Sequence, residues 1–369
     1  MRVGIPTEVM NNEYRVGITP NGVVELVAQG HEVLIQAGAG AGSSITDESY
    51  AAAGATIIDS ADVVWANADL ILKVKEPVPS EYHLLRKDQV LFTYLHLAAS
   101  RPCTEAILNS GATAIAYETV QLPNRALPLL VPMSEVAGRL APQIGSYLLM
   151  RPSGGRGVLL GGVTATRRAR TVIIGGGAAG EQAARVALGL GSMVTVVDVS
   201  LPRLKQLEDL FNHQISTRTS TILNITEAIR DADLVIGSVL IPGARAPKLV
   251  TDAMVAGMKP GSVLVDIAVD QGGCFEGTRP TTHDDPTFTV HQSLYYCVAN
   301  MPGAVPETST QALTNATLPY VLDLANKGWK KACTENQALA LGVNVSGGVI
   351  THPKVAEAFP DLPANLDLV

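Results

Sequence analysis

The segment Gly175-Gly176-Gly177-Ala178-Ala179-Gly180 constrains this chain more than any other. It follows an apolar, β-branched run, TVIIG (171–175), and opens the helix-forming stretch EQAARVALGL. A G-x-G-x-x-G spacing alone is a weak signal, but between a strand and a helix it has a mechanical reading. Gly175 permits the tight turn, and Gly177 lets the backbone approach a pyrophosphate. Gly180 lets helix and strand pack closely, and the helix N-terminus supplies a positive dipole for phosphates. Asp198 closes the next strand-like run, MVTVVD, 18 residues after Gly180. A carboxylate there accepts hydrogen bonds from the adenosine ribose hydroxyls and repels a 2′-phosphate. The pattern therefore predicts NAD rather than NADP, a preference that nearby Arg203 softens.

Around this turn, β-branched runs alternate with amphipathic stretches, the pattern of βαβ units in a parallel sheet. From Thr171 the strand-like runs are TVIIG, MVTVVD, STRTS (216–220), DLVIGS (233–238), SVLVDIA (262–268) and YYCVAN (295–300). Six strands make a doubly wound nucleotide domain. The first 120 residues repeat the alternation without a glycine fingerprint: RVGIP, HEVLIQ, LILKVK, VLFTYLH and TAIAYET read as strands, and PNGVVELVAQ and RPCTEAILNS as helices. Two long helical segments flank the nucleotide block. One runs from Ser134, its N-cap, to Met150, with Val136, Leu140, Ile144 and Leu148 as an apolar stripe. The other runs from about Ser309 to Lys327. Each holds an interior proline, Pro142 and Pro319, which kinks a helix. The expected architecture is α/β: two doubly wound parallel-sheet domains joined by linking helices, one a Rossmann NAD-binding domain over 131–305. The other, a substrate domain, is formed by 1–130 and 306–369.

Composition excludes several classes. With 47% hydrophobic and 17% charged residues over 369 positions, the chain is too apolar for a disordered protein. The net charge of −7 gives no footprint for nucleic acid, and the cluster Arg167, Arg168 and Arg170 reads as a solvated connector. No run of apolar residues is long enough to span a membrane, and MRVGIPTEV does not read as a signal peptide. The four cysteines, Cys103, Cys274, Cys297 and Cys333, show neither CxxC spacing nor close pairing with histidine. Reduced thiols in the cytoplasm and no metal site are expected. So sparse a charge complement also predicts that surface is hidden in a subunit interface or a cleft.

Ligands of open α/β sheets bind beyond the carboxyl ends of the strands. In the first half, Arg15 follows RVGIP in the loop NNEYR, Lys75 ends LILKVK, and His96 ends VLFTYLH. In the second half, Asp270 lies two residues past SVLVDIA. Together these residues can bind an anion and transfer protons. Each also has a bland reading: Arg15 paired with Glu13 or Glu8 on the surface, Lys75 with Glu76, His96 as a buried core histidine, Asp270 as a loop cap.

At these residues the chain resembles the bacterial alanine dehydrogenases, relatives of the NAD-binding subunit of proton-translocating transhydrogenase. The similar stretches run end to end and include MRVGIPTE, NNEYRVGITP, ILKVKEP, LFTYLHLAA, PMSEVAGRLA, VIIGGGAAG, VLVDIAVDQGGCFEG and YCVANMPGAVPETST. PMSEVAGRLA and DIAVDQGGCFE point to the dehydrogenase rather than to the transhydrogenase subunit, which remains the alternative. The resemblance implies reversible conversion of L-alanine, NAD and water to pyruvate, ammonium and NADH. It implies that Arg15 and Lys75 hold the substrate and that His96 and Asp270 are the acid/base residues. It places the cofactor against Ser134, Gly175, Gly177, Ala178, Gly180, Asp198, Arg203, Ser220, Val239, Leu240, Ile267, Asp270, Arg279, Val298, Asn300 and Met301. It further implies an inserted nucleotide domain and a homo-hexamer, with no nucleic-acid or membrane partner. The connector from Val163 to Ala169 departs from the Pro- and Gly-containing segment usual in that family.

Overall fold

The computed structural model describes residues 1–239 and 246–367. The chain divides into two compact units, Met1–Met133 with Val305–Val369, and Ser134–Ala304. In chain order the first unit supplies β1 (Arg2–Ile5), β2 (Glu32–Gln36), β3 (Thr56–Ile58), β4 (Leu70–Leu72), β5 (Val90–Thr93) and β6 (Thr113–Ala116). The second supplies β7 (Arg170–Ile174), β8 (Met193–Asp198), β9 (Ser216–Thr219), β10 (Leu234–Gly237), β11 (Val263–Asp266), β12 (Thr287–Val290) and β13 (Ser293–Tyr296). The chain then returns to the first unit with β14 (Val343–Ser346) and β15 (Val349–Ile350).

The first sheet runs β15-β14-β6-β5-β4-β1-β2-β3 and the second β12-β13-β11-β10-β7-β8-β9. Pairing is parallel except at β14 with β6, β15 with β14, and β12 with β13. The central strands are apolar on both faces because helices cover both. β5, β6, β10 and β11 are buried at every position. Edge strand β9, STRT, is instead half-exposed. Each sheet reverses its strand order beside its first strand, between β1 and β4 and between β7 and β10. Those reversals open crevices at the carboxyl rims.

The architecture is the α/β one expected, with local differences. The structure adds β3, β12, β14 and β15 to the strands read from the sequence. Strands β4, β5 and β6 end at Leu72, Thr93 and Ala116, so Lys75 and His96 lie past strand ends rather than on them. The first long helix is Val131–Leu148. Ser134 is thus inside its opening turns and is not the N-cap; Pro132, which lacks an amide proton, suits the first turn. Leu140, Ile144 and Leu148 of that helix join the cluster of Ile173, Ile236 and Val265 on one face of the second sheet. The second long helix begins at Pro306, not Ser309, and lies within the first unit. Both keep their interior prolines.

All four cysteines are buried and unpaired. Among the described residues no helix is long and apolar enough to cross a membrane. Arg167, expected in a solvated connector, instead clasps buried Asp233, with Nη1 2.7 Å from Oδ2 and Nη2 2.9 Å from Oδ1.

Candidate functional site

On the carboxyl rim of the first sheet, four successive loops deliver ionisable side chains. The loop after β1 carries Glu8, Glu13 and Arg15. Arg15 is only 3% exposed, so it does not pair on the surface. Its Nε and Nη2 chelate Glu13 at 2.7 and 2.6 Å, and Nη1 reaches Met133 Sδ at 3.0 Å. Burial disfavours the guanidinium charge, but Glu13 outweighs it, and the Arg15 pKa is raised. The pairing fixes the guanidinium plane through one edge.

The loop after β4 carries Lys73 and Lys75. Lys73 is fully buried and held by Glu8 at 3.1 Å and Glu81 at 2.9 Å. Burial pushes the Glu8 carboxyl upward, and Lys73 pulls it back only in part. The other oxygen of Glu8 accepts the Val74 amide at 2.6 Å. This fixes the backbone that leads to Lys75. The Lys75 side chain is half-buried, and its ammonium makes no ion pair among the described residues. It does not pair with Glu76.

The loop after β5 carries Tyr94 and His96. Their rings lie parallel within 6°, with centroids 6.1 Å apart. Tyr94 donates to the Leu129 carbonyl at 2.5 Å, and burial raises its phenol pKa. His96 is not a core histidine: its side chain is 32% exposed. From the loop after β6, Glu118 accepts the His96 amide at 2.7 Å. Glu8, Glu13, Glu81 and Glu118 were not anticipated as parts of this rim. Glu8 and Glu118 stand within three residues of a strand end, but sequence reading assigns a glutamate to the surface by default; Glu13 and Glu81 lie further along their loops and carry no such signal.

The second unit presents its own rim. Gly175 has φ +102°, and a Cβ on Gly180 would lie 1.9 Å from the Gly175 carbonyl oxygen. At Gly177 a Cβ would meet nothing within 4 Å, which leaves open space at the N-terminus of the helix Ala178–Gly189. This is the cradle a pyrophosphate needs. Asp198 accepts the Gly176 amide at 2.7 Å and the Ser200 amide at 2.8 Å, so its carboxylate is anchored beside the turn. Arg203 is committed to the Gly176 carbonyl at 2.6 Å and to Glu181 at 2.7 Å. It braces the turn and does not stand ready for a 2′-phosphate.

The other expected contacts follow the same rim. Ser220 succeeds β9 and Val239 succeeds β10. Ile267 and Asp270 follow β11, Asp270 being exposed in the turn Val269–Gln271. Buried Asp266 organises this loop by accepting the amides of Ala268 at 3.1 Å and Cys274 at 3.0 Å and the Thr278 hydroxyl at 2.5 Å. Val298, Asn300 and Met301 follow β13, with Val298 and Met301 buried. Arg279 stacks over Phe288 at 4.3 Å. Ser134 is half-buried near the start of its helix. Leu240 lies outside the described residues. The residues present fit a dinucleotide.

Residues 4–137 match the model of the alanine dehydrogenase/PNT N-terminal domain, and residues 141–353 that of the C-terminal domain. The chain is 63% identical to an alanine dehydrogenase of Mycobacterium tuberculosis over 96% of both chains. It is 53% identical to one of Methanococcus maripaludis, covering 98% of this chain and 97% of that one. A solved L-alanine dehydrogenase superposes with a TM-score of 0.94 at 52% identity, covering 98% of this chain and 99% of that one. A transhydrogenase from Sinorhizobium meliloti superposes at 0.81 with 28% identity, covering 96% and 99%. The chain therefore belongs to the alanine dehydrogenase/PNT family, as an NAD-dependent enzyme of its alanine dehydrogenase branch.

Proposed function

We propose that this chain catalyses the reversible NAD-dependent oxidative deamination of L-alanine to pyruvate and ammonium, with Arg15, Lys75, His96 and Asp270 as its working residues. The observation that carries the residue assignment is the gathering of Arg15, Lys75 and His96 on one carboxyl rim, where Glu13 holds the Arg15 guanidinium, Glu8 the backbone before Lys75 and Glu118 the His96 amide. NAD, when bound, supplies the acceptor for the hydride of the substrate Cα.

The first unit holds the amino acid. Arg15, pinned by Glu13, gives the substrate carboxylate a fixed direction, and the ammonium of Lys75 gives it charge. Fixing the carboxylate also fixes the Cα–H bond, and positioning of this kind supplies much of the rate advantage. Imidazoles suit proton traffic near neutral pH, so His96 passes protons to and from the substrate nitrogen and the attacking water. Asp270 activates water or holds the amine.

The second unit holds NAD. The Gly175–Gly180 turn and Ala178 take the pyrophosphate, and Asp198 takes the ribose hydroxyls, assisted by Ser220. Ser134, Arg203, Val239, Leu240, Ile267, Arg279, Val298, Asn300 and Met301 complete the contacts.

The enzyme works in the cytoplasm as a homo-hexamer. Buried thiols and the charge fraction of 17% support this reading, as do exposed apolar side chains such as Tyr147 and Val163. Light scattering tests the assembly, and a monomer at working concentration would defeat it.

The decisive assay mixes purified protein with NAD and L-alanine and follows NADH absorbance, then repeats with bulky amino acids and with none. Alanine-dependent NADH formation is expected. His96→Ala and Asp270→Ala variants that both turn over normally while binding NAD would defeat the residue assignment.

A further inference from the structure

We propose that Glu118, held by the C-terminal segment, is a positioning residue that fixes the His96 turn. This rests on the reading of His96 as an acid/base residue. The backbone of His96 has φ 47° and ψ 36°. That left-handed conformation is uncommon for residues with a Cβ, and it persists where the surroundings over-determine it. Glu118 does so. Its Oε1 accepts the His96 amide at 2.7 Å, and both its oxygens lie 3.2 Å from the Leu95 amide. The same Oε1 is 3.9 Å from His96 Nδ1. One carboxylate thus grips two successive amides of the turn and faces the ring they carry.

Glu118 is itself held from both flanks by a segment distant in sequence. The Ala116 amide donates to the Gly342 carbonyl at 2.7 Å. Asn344, 1% exposed, donates from Nδ2 to Thr119 Oγ1 at 2.7 Å and to the Gly342 carbonyl at 2.9 Å. The helix Pro353–Ala358 packs on the turn Leu97–Ala99, immediately after His96. His352, at the start of that helix, has a buried Nδ1 with no hydrogen-bond partner among the described residues. Burial lowers its pKa, and the Glu118 charge pulls the other way. The return of the chain after its nucleotide-binding unit thus completes the support of the His96 turn.

The test compares Glu118→Ala, Glu118→Gln and Asn344→Ala, measuring kcat and the KM values for pyruvate and NADH. Glu118→Ala removes both acceptors and should lower kcat roughly ten- to a hundredfold, the cost of misplacing a reacting group. Its KM for NADH should hold. The amide oxygen of Glu118→Gln still accepts both N–H groups and should restore most of kcat. Wild-type kcat in Glu118→Ala, or a Gln variant as impaired as the Ala one, would overturn the proposal. Should Glu118→Ala not fold, Asn344→Ala decides: reduced kcat at constant NADH KM supports the proposal, and unchanged kcat overturns it. His96→Ala, run alongside, separates the two readings. If it is active, the His96 assignment falls; if it is inactive beside an unimpaired Glu118→Ala, only the positioning role falls.

Discussion

Arg15 and Glu13, two residues apart, form a buried bidentate ion pair with contacts of 2.7 and 2.6 Å. A pair this short in sequence orients the guanidinium before any substrate arrives. Its cost is dependence, because removing one partner of a buried ion pair leaves the other charge desolvated without its main offset, here Glu13.

Glu13→Ala should therefore destabilise the chain by roughly 3–5 kcal/mol, the usual effect of breaking a buried pair. Urea unfolding followed by circular dichroism measures this, and a variant as stable as the parent would show that the pair holds nothing. Arg15→Lys keeps the charge but cannot chelate both oxygens of Glu13 while pointing outward. It should raise the KM for pyruvate and leave that for NADH unchanged.

Gly177 and Gly180 separate binding from folding within one turn. A methyl at Gly180 collides with the Gly175 carbonyl at 1.9 Å, so helix and strand must part. A methyl at Gly177 meets nothing within 4 Å and projects into the space proposed for the pyrophosphate. Gly177→Ala should keep its melting temperature and lose NADH affinity. Gly180→Ala should lose both, with a stability cost of about 1–3 kcal/mol or more from overpacking. Paired calorimetry and NADH fluorescence titration check this. Equal affinities for NADH in the Gly177 variant and the parent would refute the pyrophosphate placement.

The contrast shows what a sequence reader can reach. The glycine turn and Asp198 obey fixed local spacings, and Lys75 and His96 stand near strand ends, so each was readable. Glu8, Glu81 and Glu118 were not, because a glutamate earns its burial only from cations and amides that the fold brings from elsewhere. Glu118 meets His96 across neighbouring parallel strands, and Asn344, which holds the adjacent Thr119, lies 225 residues beyond that threonine. The hairpin of β14 and β15 is legible in the sequence as well. Gly347 and Gly348, both at positive φ (59° and 82°), lie between VNVS and VI, a two-residue turn of the type that joins antiparallel strands. The shift in helix start from Ser134 to Val131 has a plainer cause: a serine can cap a helix, but a proline in the first turn competes for the same end.

Asp198 anchors the glycine turn and is proposed to take the ribose, and its variants should separate the two roles. Asp198→Gly removes the proposed ribose acceptor and also the anchor on the Gly176 and Ser200 amides, held at 2.7 and 2.8 Å. Asp198→Asn keeps one acceptor oxygen and removes the charge. Both should weaken NAD and relax the bias against NADP, the glycine variant losing more NAD affinity. The ratio of kcat/KM for NAD and NADP measures the effect, and an unchanged ratio in both variants would remove Asp198 from cofactor selection. Because Arg203 is committed to Gly176 and Glu181, neither variant should gain strong NADP affinity.

Acid stability should depend on Asp233. Burial alone would raise its carboxyl, but Arg167, the Arg170 amide and Arg156 outweigh burial and hold it below the ordinary carboxylate value. As pH falls through the ordinary range, the unfolded chain binds a proton before the folded one, so stability declines. The contribution of this carboxylate is complete above its unfolded pKa and is lost as pH drops through the lowered folded one. Arg167→Ala removes the bidentate partner, so the folded pKa moves up. The acid-unfolding midpoint should then move to higher pH, with little change in NADH affinity, because this contact lies at the amino-terminal edge of β10. Circular dichroism during acid titration follows the transition. A midpoint that stays with the parent in Arg167→Ala would show that the carboxylate is held by its other partners alone.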